Sequence, residues 1–559
     1  MSRSQASVPA NNIPLQTNVK SSLSGSSSKS RYLYYALLLL IVVFFGFIRF
    51  RLRDMPLERD EGEFAYGGQL LLQGASLYEF VYTVKLPGTH AAYALLMGVL
   101  GQTQGRIHVG LLVVNAATTL LVFFLCRRLF GSLAGIVAAA SYALLSTSPS
   151  VAGFAGHATH FVVFFALSGV LVLLKAVDSE RNRLFFWAGL SFGIAFLMKQ
   201  PGAAFLCWAL VYLAWITFRQ SAKWNRFARW AAALLVGGVL PFAATCLWIW
   251  RSGSFGKFWF WTFRYAREYG TNVTGAEGLT FLGRETVHVT EPAVWVWALA
   301  VVGLSTFIWC GRVRSSVFFA TSFTLFSFLA LSAGLYFRPH YFILFLPAVS
   351  MLAGLAVSCG VEGLQRWKGS RTVSAIPVVI FLLAFGMAVY QQREFLFQMA
   401  AIQACEHIYR PNPFPEALEI SNYINSNASP NAKIAVIGSE PEIYFYTQRR
   451  SANGYIYTYP LLEPQKYALT MQKEMEAEIE KARPEVLVLV NNPKSWVAWN
   501  KTAPTDEILA WANGYIRQHY VVDGLAERGD KTKYYWGVEA RDHQLASQLY
   551  VYVLKRKPA

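Results

Sequence analysis

Eleven apolar runs recur along residues 32–391 and leave the chain few ways to fold. They lie near 32–48, 108–126, 133–152, 158–176, 184–198, 202–217, 229–250, 292–311, 315–335, 340–359 and 373–391. Inside a bilayer such a run must satisfy its own backbone hydrogen bonds, and a helix does so without a partner segment. Hydrophobic residues make up 54% of the 559 residues and charged ones 15%, too few charges to coat a soluble protein of this size. The sequence therefore predicts a polytopic α-helical membrane protein. The net charge of +18 would suit nucleic acid if the basic residues shared a face. They fall instead between the apolar runs, so membrane lipid is an expected neighbour and nucleic acid is not.

The loops set an orientation. With a cytoplasmic N-terminus (Lys20, Lys29, Arg31), the inside loops carry Arg127-Arg128, Lys175 to Arg183, Arg219 to Arg229, Arg312 to Arg314 and Arg366 to Arg371, as the positive-inside rule requires. Leu86 to Leu100 would invert every later loop if it crossed, and it is short for a crossing. A half-buried juxtamembrane helix is expected there. Three regions follow in a multi-pass protein of the inner (plasma) membrane. Residues 1–31, rich in Ser, Asn and Gln, read as a disordered cytoplasmic tail, 32–391 as the transmembrane domain and 392–559 as an extracytoplasmic α/β domain. In the last region Pro415 to Asn425 and Met471 to Ala482 have helical patterns. Lys433 to Gly438 and Glu485 to Val490 read as buried strands, and Tyr550 to Leu554 as a closing strand. The six cysteines form no CxxC pair, so neither a disulfide framework nor a zinc cluster is expected.

Chemistry is concentrated at the outer ends of the spans. Asp60-Glu61-Gly62-Glu63 follows the first span within Glu58 to Tyr66, a segment with an amphipathic pattern. Charges beside a membrane are costly to desolvate and mark function. A carboxylate here can take the proton of an acceptor hydroxyl as it attacks a sugar's anomeric carbon. Asp60 and Glu61 are the catalytic candidates. Arg49, Arg51, Arg53 and Arg59 flank the cluster and either snorkel to headgroups or meet a lipid phosphate. His157 and His160, spaced i, i+3, suit substrate hydrogen bonding, interfacial packing or a divalent metal, for which two ligands alone are weak support. Lys199 before Pro201 fits phosphate binding or snorkelling equally. Arg338, between two apolar runs, is a candidate phosphate clamp, with His340 beside it. Arg264 lies in the aromatic and basic stretch Phe255 to Tyr269, suited to the headgroup level. Glu63, Tyr66 and Lys85 complete the candidate substrate-binding set.

These pieces resemble the GT-C membrane glycosyltransferases. Arg59-Asp60-Glu61-Gly62 looks like the family's first outer loop. Cys126-Arg127-Arg128-Leu129-Phe130-Gly131 closes a span, Gly193 to Pro201 reads GIAFLMKQP, and Arg338 to Pro347 reads RPHYFILFLP. Closest in pattern are bacterial members of glycosyltransferase family 39, similar to protein O-mannosyltransferases and to the lipid A aminoarabinose and galacturonic acid transferases. The resemblance covers roughly residues 32–360. It implies about eleven transmembrane helices with juxtamembrane helices, and a polyprenyl-phosphate-linked sugar donor used on the outer face. It further implies inverting transfer of a hexose or pentose to a glycan, lipid or protein, with Asp60 as the catalytic carboxylate and Glu61 beside it. Relatives often place a second acidic residue where this chain has His157 to His160, so no metal role carries over. A transporter or flippase of lipid-linked glycans, or a non-catalytic envelope assembly protein, is the alternative. Neither explains the acidic loop as well.

Overall fold

The computed structural model describes residues 28–219, 224–496 and 507–558. Most of the expected N-terminal tail thus lies outside the described residues, and the first helix begins at Ser28. Nine described helices are long and apolar enough to cross a membrane: Arg31–Arg51, Gln104–Phe130, Ala158–Ser179, Gln200–Arg219, Trp224–Arg251, Gly275–Trp309, Gly311–Leu331, Leu346–Trp367 and Arg371–Gln391. The other two expected spans are the shorter apolar helices Ser132–Leu145 and Asn182–Met198.

Both stop early for local reasons. Past Leu145 the run 133–152 meets Ser146-Thr147-Ser148-Pro149. Thr147 Oγ1 donates back to Ala143 O at 2.7 Å, and Pro149 opens a 3-10 turn. The other helix ends at Met198, where Lys199 is extended and Gln200–Gly202 turns as a 3-10 helix with Pro201 inside it. The run expected at 340–359 is displaced in the same way. Pro339–Leu344 forms a 3-10 turn, and the helix proper, Leu346–Lys368, starts with Pro347 in its first turn. Leu86 to Leu100 yields the short helix Gly88–Leu100, packed on the helix that follows the first span.

Within the bundle, Asn182–Met198 crosses Trp224–Arg251 on a seam of small residues. A Cβ on Gly189, Gly193 or Gly237 would stand 2.0 to 2.2 Å from a carbonyl oxygen of the facing helix. Glycine lets these backbones approach closely, which is how apolar helices gain packing without a hydrophobic driving force between them.

The outer arginines are structural ties. Arg49 is buried and donates to Gly153 O (2.9 Å) and Ser146 O (2.7 Å), pinning the turn that leads to His157. Arg51 donates to the carbonyls of Phe395, Leu396 and Met399 just beyond the last span. Their carbonyl partners rule out simple snorkelling. Arg53, stacked 4.1 Å from the Phe50 ring, is half-buried and turned outward.

Beyond Gln392 a five-stranded sheet is built from β1 (Ile434–Ile437), β2 (Val486–Asn491), β3 (Tyr520–Arg528), β4 (Thr532–Trp536) and β5 (Tyr550–Arg556), in the order β1-β2-β5-β3-β4. β1 and β2 pair parallel, and the other pairs are antiparallel. Ile434 and Val436 face one core with the helix Phe414–Asn427. Ala435 and Ile437 face another with the helix Ala468–Ala482. Burial on both faces is why β1 and β2 read as unbroken apolar runs. β3 and β4 carry mixed residues and gave no such signal. The domain lies on the first-loop helix, with Tyr66 against Tyr444.

Candidate active site

The first-loop helix, Arg59–Leu72, starts with a capping box: Glu58 accepts from Glu61 N (2.9 Å) and Glu61 accepts from Glu58 N. That fixes which way each carboxylate points. Neighbouring helical residues lie about 100° apart, while positions i and i+3 share a face. Asp60 and Glu63 therefore point together, and Glu61 points elsewhere.

Lys85 bridges the first pair, donating to Asp60 Oδ1 at 2.7 Å and Glu63 Oε2 at 2.6 Å. Asp60 Oδ1 also accepts from the Tyr457 hydroxyl at 2.6 Å. Asp60 Oδ2 faces His157 Nδ1 (3.7 Å) and His340 Nε2 (4.0 Å), whose rings stack 4.0 Å apart. Burial alone would raise the Asp60 pKa. Lys85, His157 and His340 overcome it and hold the group well below the ordinary carboxylate range. Glu58, 3.6 Å from His157, is pushed up to about 7, by burial first and then by the charge of Asp60.

Around these groups lies a cavity of about 280 Å³, lined by seven stretches of the chain, the first-loop helix among them. Lys199 rests on the Tyr341 ring, its ammonium 3.7 Å from the centroid. Burial lowers it to about 7, partly opposed by Asp60. Arg338 donates to the Tyr269 hydroxyl at 3.4 Å. Burial would lower Arg338 too, but Tyr269, Tyr341 and Asp60 hold it well above its ordinary value. The turn that presents it is strained: Leu335 and Phe337 have φ of 60° and 46°, in the left-handed region. Such outliers persist where surrounding structure over-determines them, and they cluster at functional sites.

Of the residues expected from sequence, Asp60, Glu63, Lys85, His157, Lys199, Arg338 and His340 line this one cavity. Five do not. Glu61 is fully buried on the bundle side, where it accepts from Gly156 N at 2.5 Å and meets His108 Nε2 at 3.0 Å. It holds the turn before His157, so the partner of Asp60 is Glu63 and not its sequence neighbour. A Cβ on Gly156 would lie 2.1 Å from the Tyr93 hydroxyl, so only glycine permits this approach. Arg59 turns away from the cavity to Ser439 O, the Tyr459 hydroxyl, Asn412 Oδ1 and Glu440. Tyr66 is buried and accepts from Ser451 N. His160 meets Asn115 inside the bundle at 3.1 Å. Arg264 is exposed, in the π-helical turn Phe260–Tyr265 whose Trp261 and Tyr265 line the cavity.

Sequence reasoning missed Tyr457, Tyr459 and Glu463, which bring the C-terminal domain into the lining, and Tyr269, Tyr336 and Tyr341. The one available signal was Tyr455-Ile456-Tyr457-Thr458-Tyr459, whose period of two puts three phenols on one side of an extended segment.

Asp60, His157 and His340 could also hold a divalent cation, since one ligand atom from each lies within 4.8 Å of the others. Both His157 nitrogens are buried and have no hydrogen-bond partner among the described residues, which suits that role.

Over 95% of its length the structure is similar to ArnT from Cupriavidus metallidurans bound to undecaprenyl phosphate, with a TM-score of 0.59, 16% identity and 98% of that chain covered. It is also similar to the oligosaccharyltransferase AglB from Archaeoglobus fulgidus in complex with an inhibitory peptide and a dolichol-phosphate (TM-score 0.53, 13% identity, 95% of this chain and 77% of that one). The chain has the GT-C fold. Its GT-C bundle contains the stretch, residues 85–249, that matches the family model described as dolichyl-phosphate-mannose-protein mannosyltransferase. It is 27% identical over 278 residues to the undecaprenyl phosphate-alpha-4-amino-4-deoxy-L-arabinose arabinosyl transferase of Pseudomonas aeruginosa strain LESB58. That match covers 46% of this chain, which spans about half the length of the curated relative (45%).

Proposed function

We propose that the protein is an integral membrane glycosyltransferase. It moves a sugar from a polyprenyl-phosphate donor to an acceptor hydroxyl on the extracytoplasmic face. The observation that carries this reading is a fixed carboxylate, Asp60, in a cavity that also holds Lys199 and Arg338. A transporter would want related halves with broken helices near mid-membrane, and the sequence carries no clear internal repeat. An assembly protein would not need the acidic loop.

The reaction follows from that arrangement. Lys85 and Tyr457 occupy Oδ1 of Asp60, which leaves Oδ2 to accept the proton of the acceptor hydroxyl. The acceptor oxygen bonds to the anomeric carbon as the bond from that carbon to the phosphate oxygen breaks. The electron pair leaves with the lipid phosphate, a stable anion held by Lys199 and Arg338. One displacement inverts the anomeric centre. The printed names of the relatives, an arabinosyl transferase and a structure with undecaprenyl phosphate bound, support a lipid-phosphate donor. A glycan, lipid or protein acceptor on the envelope side fits the same reading, as does a pentose or hexose. Asp60 Oδ2, His157 and His340 would hold a divalent cation, which would supply Lewis-acid activation of the acceptor hydroxyl in place of proton transfer to a free Oδ2.

The test is reconstitution of the purified protein with synthetic polyprenyl-phosphate sugars and glycolipid or peptide acceptors. Release of polyprenyl phosphate coupled to sugar transfer is expected. Absence of turnover with every donor, at verified donor binding, overturns the assignment. Chelator and metal add-back in the same assay decide whether a cation takes part.

A further inference from the structure

The six cysteines take no part in the function proposed above, yet two of them meet. Cys310 caps the end of the helix Val294–Trp309, and Cys359 lies within the helix Leu346–Lys368. These helices touch backbone to backbone at Gly303, where a Cβ would stand 2.1 Å from Leu352 O. Cys310 and Cys359 each lie seven residues beyond that contact. Seven residues make about two helical turns, so the two helices run parallel and the same faces meet again at the thiols.

Two neighbouring contacts bracket the pair. A Cβ on Gly363 would lie 3.6 Å from the Trp309 ring, and Arg312 Nη1 stands 3.5 Å from Glu362 Oε2. Between them the Cys310 and Cys359 thiols hydrogen-bond to each other. A disulfide spans Cα atoms no more than about 7 Å apart, a separation that closely packed helices provide. Cys359 is fully buried, whereas Cys310 is 6% exposed and is followed by exposed Gly311 and Arg312. A small reagent therefore meets Cys310 first. Arg312, Arg314 and Arg366 mark this end of the bundle, which the positive-inside pattern predicts to be cytoplasmic. Thiols are kept reduced there, and disulfides that form are transient.

We propose that Cys310 and Cys359 are a redox modification site, a dithiol that a low-molecular-weight disulfide converts into an intramolecular disulfide between the two helices. The Cys310 sulfur, its proton lost, attacks one sulfur of the small disulfide, and the other sulfur leaves as a thiolate. The Cys359 sulfur then attacks Cys310 in the mixed disulfide and expels the second thiolate. Two electrons pass from the protein to the small disulfide, and the two protons shed by the cysteines return to the two small thiols. This inference does not depend on the glycosyltransferase reading.

Peptide mapping of the full-length protein tests it. The folded protein in detergent is treated with hydroxyethyl disulfide, free thiols are alkylated, and peptides are mapped without reduction. A peptide pair linked through Cys310 and Cys359 is expected, with a loss of two alkylated cysteines per chain that dithiothreitol reverses. Cys310→Ser and Cys359→Ser should each lose the linked pair. If either variant fails to fold, the wild-type map alone decides. Both thiols recovered free, a mixed disulfide on Cys310 that never resolves, a link through any other cysteine, or linkage formed only after unfolding overturns the site.

Discussion

The Tyr457 hydroxyl donates to Asp60 Oδ1 at 2.6 Å, joining positions 397 residues apart in the chain. One end of this bond stands on the first-loop helix and the other on the C-terminal domain. The soluble domain is therefore part of the cavity wall. Removing this donor takes away a bond to the charged carboxylate, so Tyr457→Phe should lower kcat about tenfold with KM nearly unchanged. It should also move the acid limb of the pH–rate profile upward, because the bond favours ionised Asp60. An unchanged limb would make Tyr457 a packing residue only.

Asp60→Asn removes the proton acceptor while keeping shape. Transfer should fall by about 10²–10⁴, with donor binding retained because the donor is anionic. Single-turnover transfer measured at equal protein level checks this. Full activity would move attention to Glu63, the carboxylate that shares Lys85.

Lys199 gives a pH signature. Its pKa is lowered to about 7, so the free protein carries the positive charge below that pH and loses it above. Affinity for an anionic donor should therefore be greatest on the acid side and decline as pH rises through about 7. Bound phosphate pulls the pKa upward. Lys199→Arg should flatten the profile, whereas Arg338→Ala should weaken binding at every pH and Arg338→Lys should restore it only partly. Titration of donor affinity between pH 6 and pH 9 is the measurement.

Arg59 and Glu440 form an ion pair at 3.1 Å, with side chains 10% and 1% exposed. Taking away one partner strands the other. Arg59→Ala should cost about 3–5 kcal/mol, seen as earlier thermal unfolding in detergent. The double change Arg59→Met with Glu440→Met should cost less, since no buried charge is left alone.

Orientation has its own check. The first-loop helix, Lys199, Arg338 and the C-terminal domain meet at one end of the bundle, so they share a side of the membrane. The positive-inside pattern of the loops predicts that this side is the outer one. A phosphatase reporter fused after residue 400 should be active. A cytoplasmic reporter active at the same site reverses the compartment.

Much of this was legible in sequence because membranes impose strong rules. Apolar length located the spans, and misjudged their ends where Ser146 to Pro149, the Gln200–Gly202 turn and Pro339 cut a run short and where the helix Gly275–Thr290 precedes the 292–311 run. The acidic loop and the outer Lys and Arg located the cavity. What could not be read was direction. Asp60 and Glu61 are one residue apart, yet one faces the cavity and the other the bundle, because Glu58 and Glu61 cap the helix. Arg59 and Arg49 look like lipid-facing cations by position. Their carbonyl and carboxylate partners lie about 100 to 380 residues away, and no local pattern reports such pairings. The Tyr455 to Tyr459 spacing marks a run of phenols, but nothing local says that Tyr457 reaches Asp60.

The dependence of Asp60 on Tyr457 also sets an order of events during biogenesis. The ribosome delivers the carboxylate early and its phenol partner nearly four hundred residues later. A nascent bundle that has inserted every span still lacks a wall of the cavity. The cavity is therefore complete only when the last folding unit has been made and has docked on the bundle.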